Sequence, residues 1–116
     1  MSPDNAWLRD MVKHARKALE RTAGITREQF LADTDKHLAI CYLIMVIGEA
    51  AAQVSDETRA SMPNLAWGQI VNMRNRLIHH YFKTDLQKVW DVVEDDLQPL
   101  IDTIEPYLQQ NPPPTA

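Results

Sequence analysis

A single all-helical domain is what this sequence predicts, and three observations carry the expectation. Only three glycines occur in 116 residues, while the strongest helix formers are plentiful. Apolar residues recur three and four apart through most of the chain. No segment shows the strict alternation of a half-buried strand, and no internal repeat is present. With 45% hydrophobic and 24% charged residues, the composition belongs to a folded domain rather than a disordered chain. The length suits one compact domain and is too short for two.

The first helix is expected to be capped by Asp4 or Asn5 and to run to about Thr22. Trp7, Leu8, Met11, Val12, Ala15, Ala18 and Leu19 form its inner stripe, opposite Arg9, Lys13, Arg16, Lys17 and Arg21. Gly24 ends it. Thr26 and Gln29 read as a capping box for a short turn ending near Ala32. A second long helix starts at Asp33 or Thr34 and reaches Val54. Its centre, residues 38–47, is apolar all round and so is expected to be the most buried element. Gly48 and Ala50 to Ala52 are small enough to let a neighbouring helix approach closely. Glu49 within that run needs a partner, and Arg74 is the first candidate.

Ser55 caps a short helix to about Ser61, after which Met62-Pro63-Asn64 turns the chain. Asn64 is read as the cap of a helix from Leu65 toward His79 or His80, with Trp67, Ile70, Val71, Met73, Leu77 and Ile78 on its apolar side. Thr84 with Gln87 reads as another capping box, opening a helix that turns Leu86, Val89, Trp90, Val93 and Leu97 inward. Pro99 lacks a backbone donor and should kink or restart that helix. The pattern then resumes through Leu100, Ile101, Ile104 and Leu108. The domain is placed at residues 4–108, with a Pro-rich disordered tail at 109–116. An antiparallel four- to five-helix bundle is the natural arrangement of these elements, and a helix face is open for dimerisation.

The net charge of -4 argues against a generally basic nucleic-acid binder, but charge is unevenly spread. Residues 69–83 hold three Lys or Arg residues and no acid, whereas residues 85–105 hold seven acids and Lys88 alone. Cys41 is the single cysteine, so an internal disulfide is impossible and its place in an apolar run reads as a small buried hydrophobe. The start of the chain lacks the pattern of a secretory leader, and the longest apolar run is about half a membrane span. A soluble, cytoplasmic protein is expected.

Chemistry concentrates in residues 73–82, Met-Arg-Asn-Arg-Leu-Ile-His-His-Tyr-Phe. Arginine offers a fixed fork of donors to phosphate and histidine titrates near neutral pH, so the run suits a phosphodiester. Arg74 and His79 are five residues apart, roughly 140° around a regular helix, and do not form a local pair. Three routes could join them at one substrate: the reach of the arginine, a helix ending near His79, or a second subunit across a two-fold axis. Two imidazoles would then serve acid–base cleavage of RNA, with Arg74 stabilising the phosphorus oxygens and no metal required. Asn75, one turn before His79, is placed to orient that imidazole or bond phosphate. Arg76, one turn before His80, is placed to hold RNA backbone. Tyr81 offers a ring to pack and a hydroxyl to bond or be modified. His14 and His37 look like isolated surface or core-edge residues. No His-Glu-x-x-His, paired-cysteine, glycine-rich phosphate-loop or Gly-x-Ser-x-Gly pattern occurs, so metal, cofactor, nucleotide-hydrolysis and serine chemistry are not expected.

The run Arg74-Asn75-Arg76-Leu77-Ile78-His79-His80-Tyr81 resembles the HEPN signature: an arginine, four residues, a histidine, any residue and a tyrosine. Ile47-Gly48-Glu49-Ala50-Ala51, Leu65-Ala66-Trp67, Thr84-Asp85-Leu86 with Val89-Trp90, and Asp96-Leu97-Gln98-Pro99-Leu100 resemble the HepT-like branch in order and spacing. The resemblance spans nearly the whole chain. It implies a helical homodimer with its cleft at the subunit interface, acting as a metal-independent endoribonuclease toxin of a type VII-like toxin–antitoxin module. It also implies an MNT-type minimal nucleotidyltransferase as antitoxin, which transfers AMP to the motif tyrosine. Carried over, Arg74 and His79 are the catalytic pair, Asn75 a polar support, Arg76 and His80 RNA-binding or auxiliary residues, and Tyr81 the AMP acceptor. His80 departs from the glycine or small residue common at its position. The alternative is a non-catalytic HEPN module that binds RNA, nucleotide or the transferase without cutting.

Overall fold

The computed structural model describes residues 3–112, and every regular element among them is helical. The bundle is built on α1 (Asp4–Thr22), α3 (Thr34–Gln53), α5 (Trp67–His79) and α7 (Leu97–Gln110). Short helices α2 (Arg27–Ala32), α4 (Asp56–Ser61) and α6 (Leu86–Asp91) connect them, and a 3-10 turn (Tyr81–Lys83) follows α5. α3 is the central element, packed between α1 and α5, and α7 lies against α1. The core is continuous from Leu8, Met11 and Ala15 of α1 through Ile40, Ile44 and Ile47 of α3 to Leu97, Ile101 and Ile104 of α7.

The expected burial of α3 holds for Ile40, Cys41, Leu43, Ile44, Ile47, Gly48, Ala50 and Ala51. It fails for Leu38 and Tyr42, which are exposed. The apolar run therefore covers a surface as well as a core. Gly48 performs the close-approach role read from the sequence. A Cβ placed there would lie 2.3 Å from the Cβ of Arg74 and 3.1 Å from the Ile70 carbonyl oxygen, so only glycine lets α5 sit this close to α3.

Caps fix where the helices begin. The Thr26–Gln29 capping box opens α2, Asp33 caps α3 through Lys36 N–H, and Ser55 caps α4 through Thr58 N–H. Four residues read as caps, Asp4, Asn5, Asn64 and Thr84, do not serve as such. Asp4 lies inside α1, and its buried carboxylate accepts from Ser55 N–H at 3.0 Å and from the Ser55 and Thr58 hydroxyls at 2.6 Å each. A tertiary lock between α1 and α4 takes precedence over a local cap. Asn5 likewise donates across the fold to the Asn111 carbonyl, at 2.8 Å. Asn64 caps nothing, because α5 starts at Trp67 without a side-chain cap. The indole N–H of Trp67 bonds the Met62 carbonyl and holds the turn instead. At α6 the cap is Asp85, whose carboxylate accepts from Gln87 N–H, while Thr84 donates to the His80 carbonyl.

The disturbance expected at Pro99 appears as a π turn, Val92–Asp96, that joins α6 to α7. Pro99 has no N–H for the carbonyl of Asp95 and its ring would crowd that group in a regular helix; one widened turn relieves both. Val93 and Leu97, on either side of the widening, stay buried. α7 continues through Pro106 to Gln110, past the domain end expected at Leu108. Half of the expected tail, residues 113–116, lies outside the described residues.

Candidate active site

α5 and the turn after it carry all six candidate residues. The helix stops after His79: His80 has left helical geometry, with its N–H still bonded to the Arg76 carbonyl at 2.8 Å. Thr84 then closes the turn by bonding the His80 carbonyl with its hydroxyl, at 3.1 Å. Leu77 is the buried anchor of this segment. Ile78, expected on the apolar side with it, is 48% exposed instead. Its neighbours three and four residues back are Asn75 and Arg74, which places it on the polar flank.

Arg74 pairs with Glu49 as anticipated. Its Nε donates to Glu49 Oε2 at 3.0 Å, its Nη2 forms a short contact with the same oxygen, and its Nη1 donates to Asn75 Oδ1 at 2.6 Å. Three of five N–H donors are thereby engaged and two remain. Asn75, expected to orient the His79 imidazole or bond phosphate, has its oxygen on Arg74. Its position is nonetheless shared, because Asn75, Asn72, Arg76, His79 and His80 line one cavity of about 270 Å³. Arg74 is not among that lining. That cavity therefore does not hold Arg74 and His79 together, and Asn75 is the residue that touches one and borders the other.

Both His79 and His80 are exposed. Arg76 and His80 also line a second cavity of about 250 Å³ with Met73, Lys83, Thr84, Asp85 and Lys88. A third cleft, about 410 Å³, lies over Ile44, Ile47, Leu65, Ile70 and Leu97 and shares Met73 and Arg76 with the second. Tyr81 is half-buried and packs against the core. Burial first, and then the nearby Cys41, push its phenol above the ordinary tyrosine pKa. Cys41 is itself buried, and burial pushes its thiol up to about 11. That is the small-hydrophobe role read from the sequence, since a protonated thiol is a poor nucleophile. His14 bonds the Asp10 carbonyl of its own helix, and His37 packs edge-on to Phe30, each apart from this site. Among the described residues, no three His, Cys, Asp or Glu side chains are grouped as a metal site, and no helix is long and apolar enough to cross a membrane.

Comparison with known families adds the deciding observation: the model of the family described as "Ribonuclease HepT-like" matches residues 11–107, which include the whole of α5 and its terminal turn. The chain belongs to the HepT-like ribonuclease family. Among relatives, "Putative RNase MJ1380" of Methanocaldococcus jannaschii is 30% identical over 100 residues, covering 86% of this chain and 92% of that protein. "Probable ribonuclease HepT" of Thermococcus cleftensis is 30% identical over 94 residues, covering 81% and 86%. "Putative RNase TTE0752" of Caldanaerobacter subterraneus is 26% identical over 110 residues, covering 95% and 98%. No solved structure matches the chain. The HepT-like domain is thus of the same extent as these relatives, and the helical bundle is its fold. Sequence reasoning missed Lys83 and Lys88 of the second cavity. Their signal was present in outline, because Lys88 is the one cation of an otherwise acidic stretch.

Proposed function

We propose that this chain is a metal-independent endoribonuclease that acts as a homodimer and forms the toxin half of a prokaryotic toxin–antitoxin module. Family membership and the printed names of its relatives support RNA as substrate. The observation that carries the catalytic reading is the end of α5, where exposed His79 and His80 share a polar cavity with Asn75 and Arg76. Beside it Arg74 is held in place with two N–H donors to spare. One imidazole takes the proton of a ribose 2′-hydroxyl as that oxygen attacks phosphorus. A second imidazole gives its proton to the departing 5′-oxygen. The products carry a 2′,3′-cyclic phosphate and a 5′-hydroxyl. The remaining donors of Arg74 stabilise charge on the non-bridging oxygens, and Asn75 keeps the guanidinium aimed.

A second copy supplies what one chain lacks. Leu38, Tyr42 and Met45 share a face of α3 with Glu49, and Ile78 follows Arg74 by one turn on α5. Tyr42 is 60% exposed and Leu38 46%. An exposed apolar face beside Arg74 fits a two-fold contact that brings Arg74 of one copy to His79 of the other. Mixing the Arg74→Ala and His79→Ala proteins under conditions of subunit exchange should then return cleavage that neither has alone. A mixture that exchanges subunits and stays inactive argues against a shared cleft.

Tyr81 is the proposed AMP acceptor for a nucleotidyltransferase antitoxin, in the cytoplasm. Its phenol oxygen attacks the α-phosphorus of ATP, pyrophosphate leaves, and a base of the transferase removes the proton. The raised phenol pKa makes that base necessary near neutral pH. AMP at Tyr81 sets a phosphate and a nucleobase beside His79 and His80, blocking RNA by bulk and charge. Mass spectrometry after coexpression with the transferase should find the added AMP on Tyr81, and AMP confined to Tyr42 or Tyr107 refutes the site.

A further inference from the structure

The cavity beside the signature residues has no role in the reaction as described above. Three elements meet there: Arg76 comes from the last turn of α5, Lys83 from the 3-10 turn and Lys88 from α6, with His80 between them. None of Arg76, Lys83 and Lys88 has an ion-pair partner among the described residues. The one acid of the lining, Asp85, has its carboxylate on Gln87 N–H as the cap of α6. Convergence of unpaired cations is not what composition predicts for a chain with net charge -4, least of all with Lys88 drawn from a segment of seven acids. Like charges gathered around one concavity repel each other, and an oxyanion placed among them relieves that repulsion.

The position of the cluster says which anion it fits. It shares Arg76 and His80 with the cavity that contains His79, so the two cavities form one track along the end of α5. A single phosphate fills one of them. A strand fills both, with one phosphate at the histidines and the next among the cations. We propose that Arg76, Lys83 and Lys88 form a subsite for the RNA backbone phosphate adjacent to the scissile one, a contact that positions the strand without reading its sequence. This inference rests on the ribonuclease reading for its substrate, but its observable is strand binding rather than cleavage.

The test is the full chain carrying Lys83→Ala and Lys88→Ala together. Both side chains are exposed, and the charge-keeping pair Lys83→Arg and Lys88→Arg serves as the control for folding. Fluorescence anisotropy with a labelled 2′-O-methyl RNA oligonucleotide, which binds without being cut, is measured over a range of salt concentrations. The alanine protein should bind about ten-fold more weakly at low salt. Its plot of log affinity against log salt should be shallower by roughly 0.7, the one single-strand phosphate contact that the subsite makes. The arginine protein should keep both, and with cleavable RNA the loss should fall on KM rather than kcat. Unchanged affinity and slope in the alanine protein overturn the subsite, as does ATP competing as well as the oligonucleotide at equal phosphate concentration. Lysine-dependent strand binding in a chain that cuts no RNA supports the subsite and removes the ribonuclease reading. Cleavage with no dependence on the lysines does the reverse.

Discussion

Gly48 sets the position of Arg74. The missing Cβ is what lets the two helices touch, so Gly48→Ala must push α5 outward against the Cβ of Arg74, a backbone-near atom that has no rotamer to escape into. The expected cost is about 1–3 kcal/mol by thermal or denaturant unfolding. Cleavage should fall further than stability accounts for, because Arg74 loses its register with Glu49; an alanine variant with wild-type stability and activity contradicts this. The Gly48 and Glu49 roles were legible because a glycine and a carboxylate inside an apolar run each demand a reason. The partner of Asn75 was not, since the sequence offered the His79 ring or a phosphate, whereas in the fold its oxygen goes to the neighbouring Arg74. Cys41 gives a second test at this scale. Its thiol titrates near 9 when unfolded and at about 11 in the fold, so the folded state holds the proton longer. That contribution is complete below pH 9 and is lost as pH rises toward 11, on the order of 2 kcal/mol. Unfolding measured at pH 8 and pH 11 should show the drop, and Cys41→Ala should lack that part of it.

Among the elements, helix existence and type followed from periodicity, while the caps expected at the start of α1 failed for one physical reason. Asp4 and Asn5 are good local caps, yet each bonds a distant group that the fold brings within reach; Thr84 instead bonds the His80 carbonyl of the turn before it. A tertiary acceptor or donor that also needs satisfying outbids a local one, and sequence spacing carries no information about it. The Asp4 lock makes this measurable. Asp4→Ala leaves Ser55 N–H and two hydroxyls without their buried acceptor. It should cost roughly 2–4 kcal/mol, well above the typical cap loss of about 1 kcal/mol. A loss no greater than a cap's would mean that water or a neighbour replaces the carboxylate. The π turn before Pro99 is a milder case, in which the proline announced a disturbance but not its form.

For the whole molecule, the bundle and the residues of the signature were legible in the amino-acid order, but which surface is used was not. Residues 38–47 read as interior because periodicity cannot tell a buried face from an exposed apolar one, and Tyr42 and Leu38 face outward. Net charge was equally uninformative, since the cations that matter are gathered at one end of α5 on an acidic body. The central claim is that this arrangement cuts RNA without a metal. It is tested by incubating unmodified protein with RNA in EDTA, beside the His79→Ala, His80→Ala and Arg74→Ala variants. Cleavage to ends bearing 2′,3′-cyclic phosphate is expected, reduced at least about 100-fold by His79→Ala and by Arg74→Ala. Absence of cleavage by the unmodified chain, or equal cleavage by His79→Ala, contradicts the account.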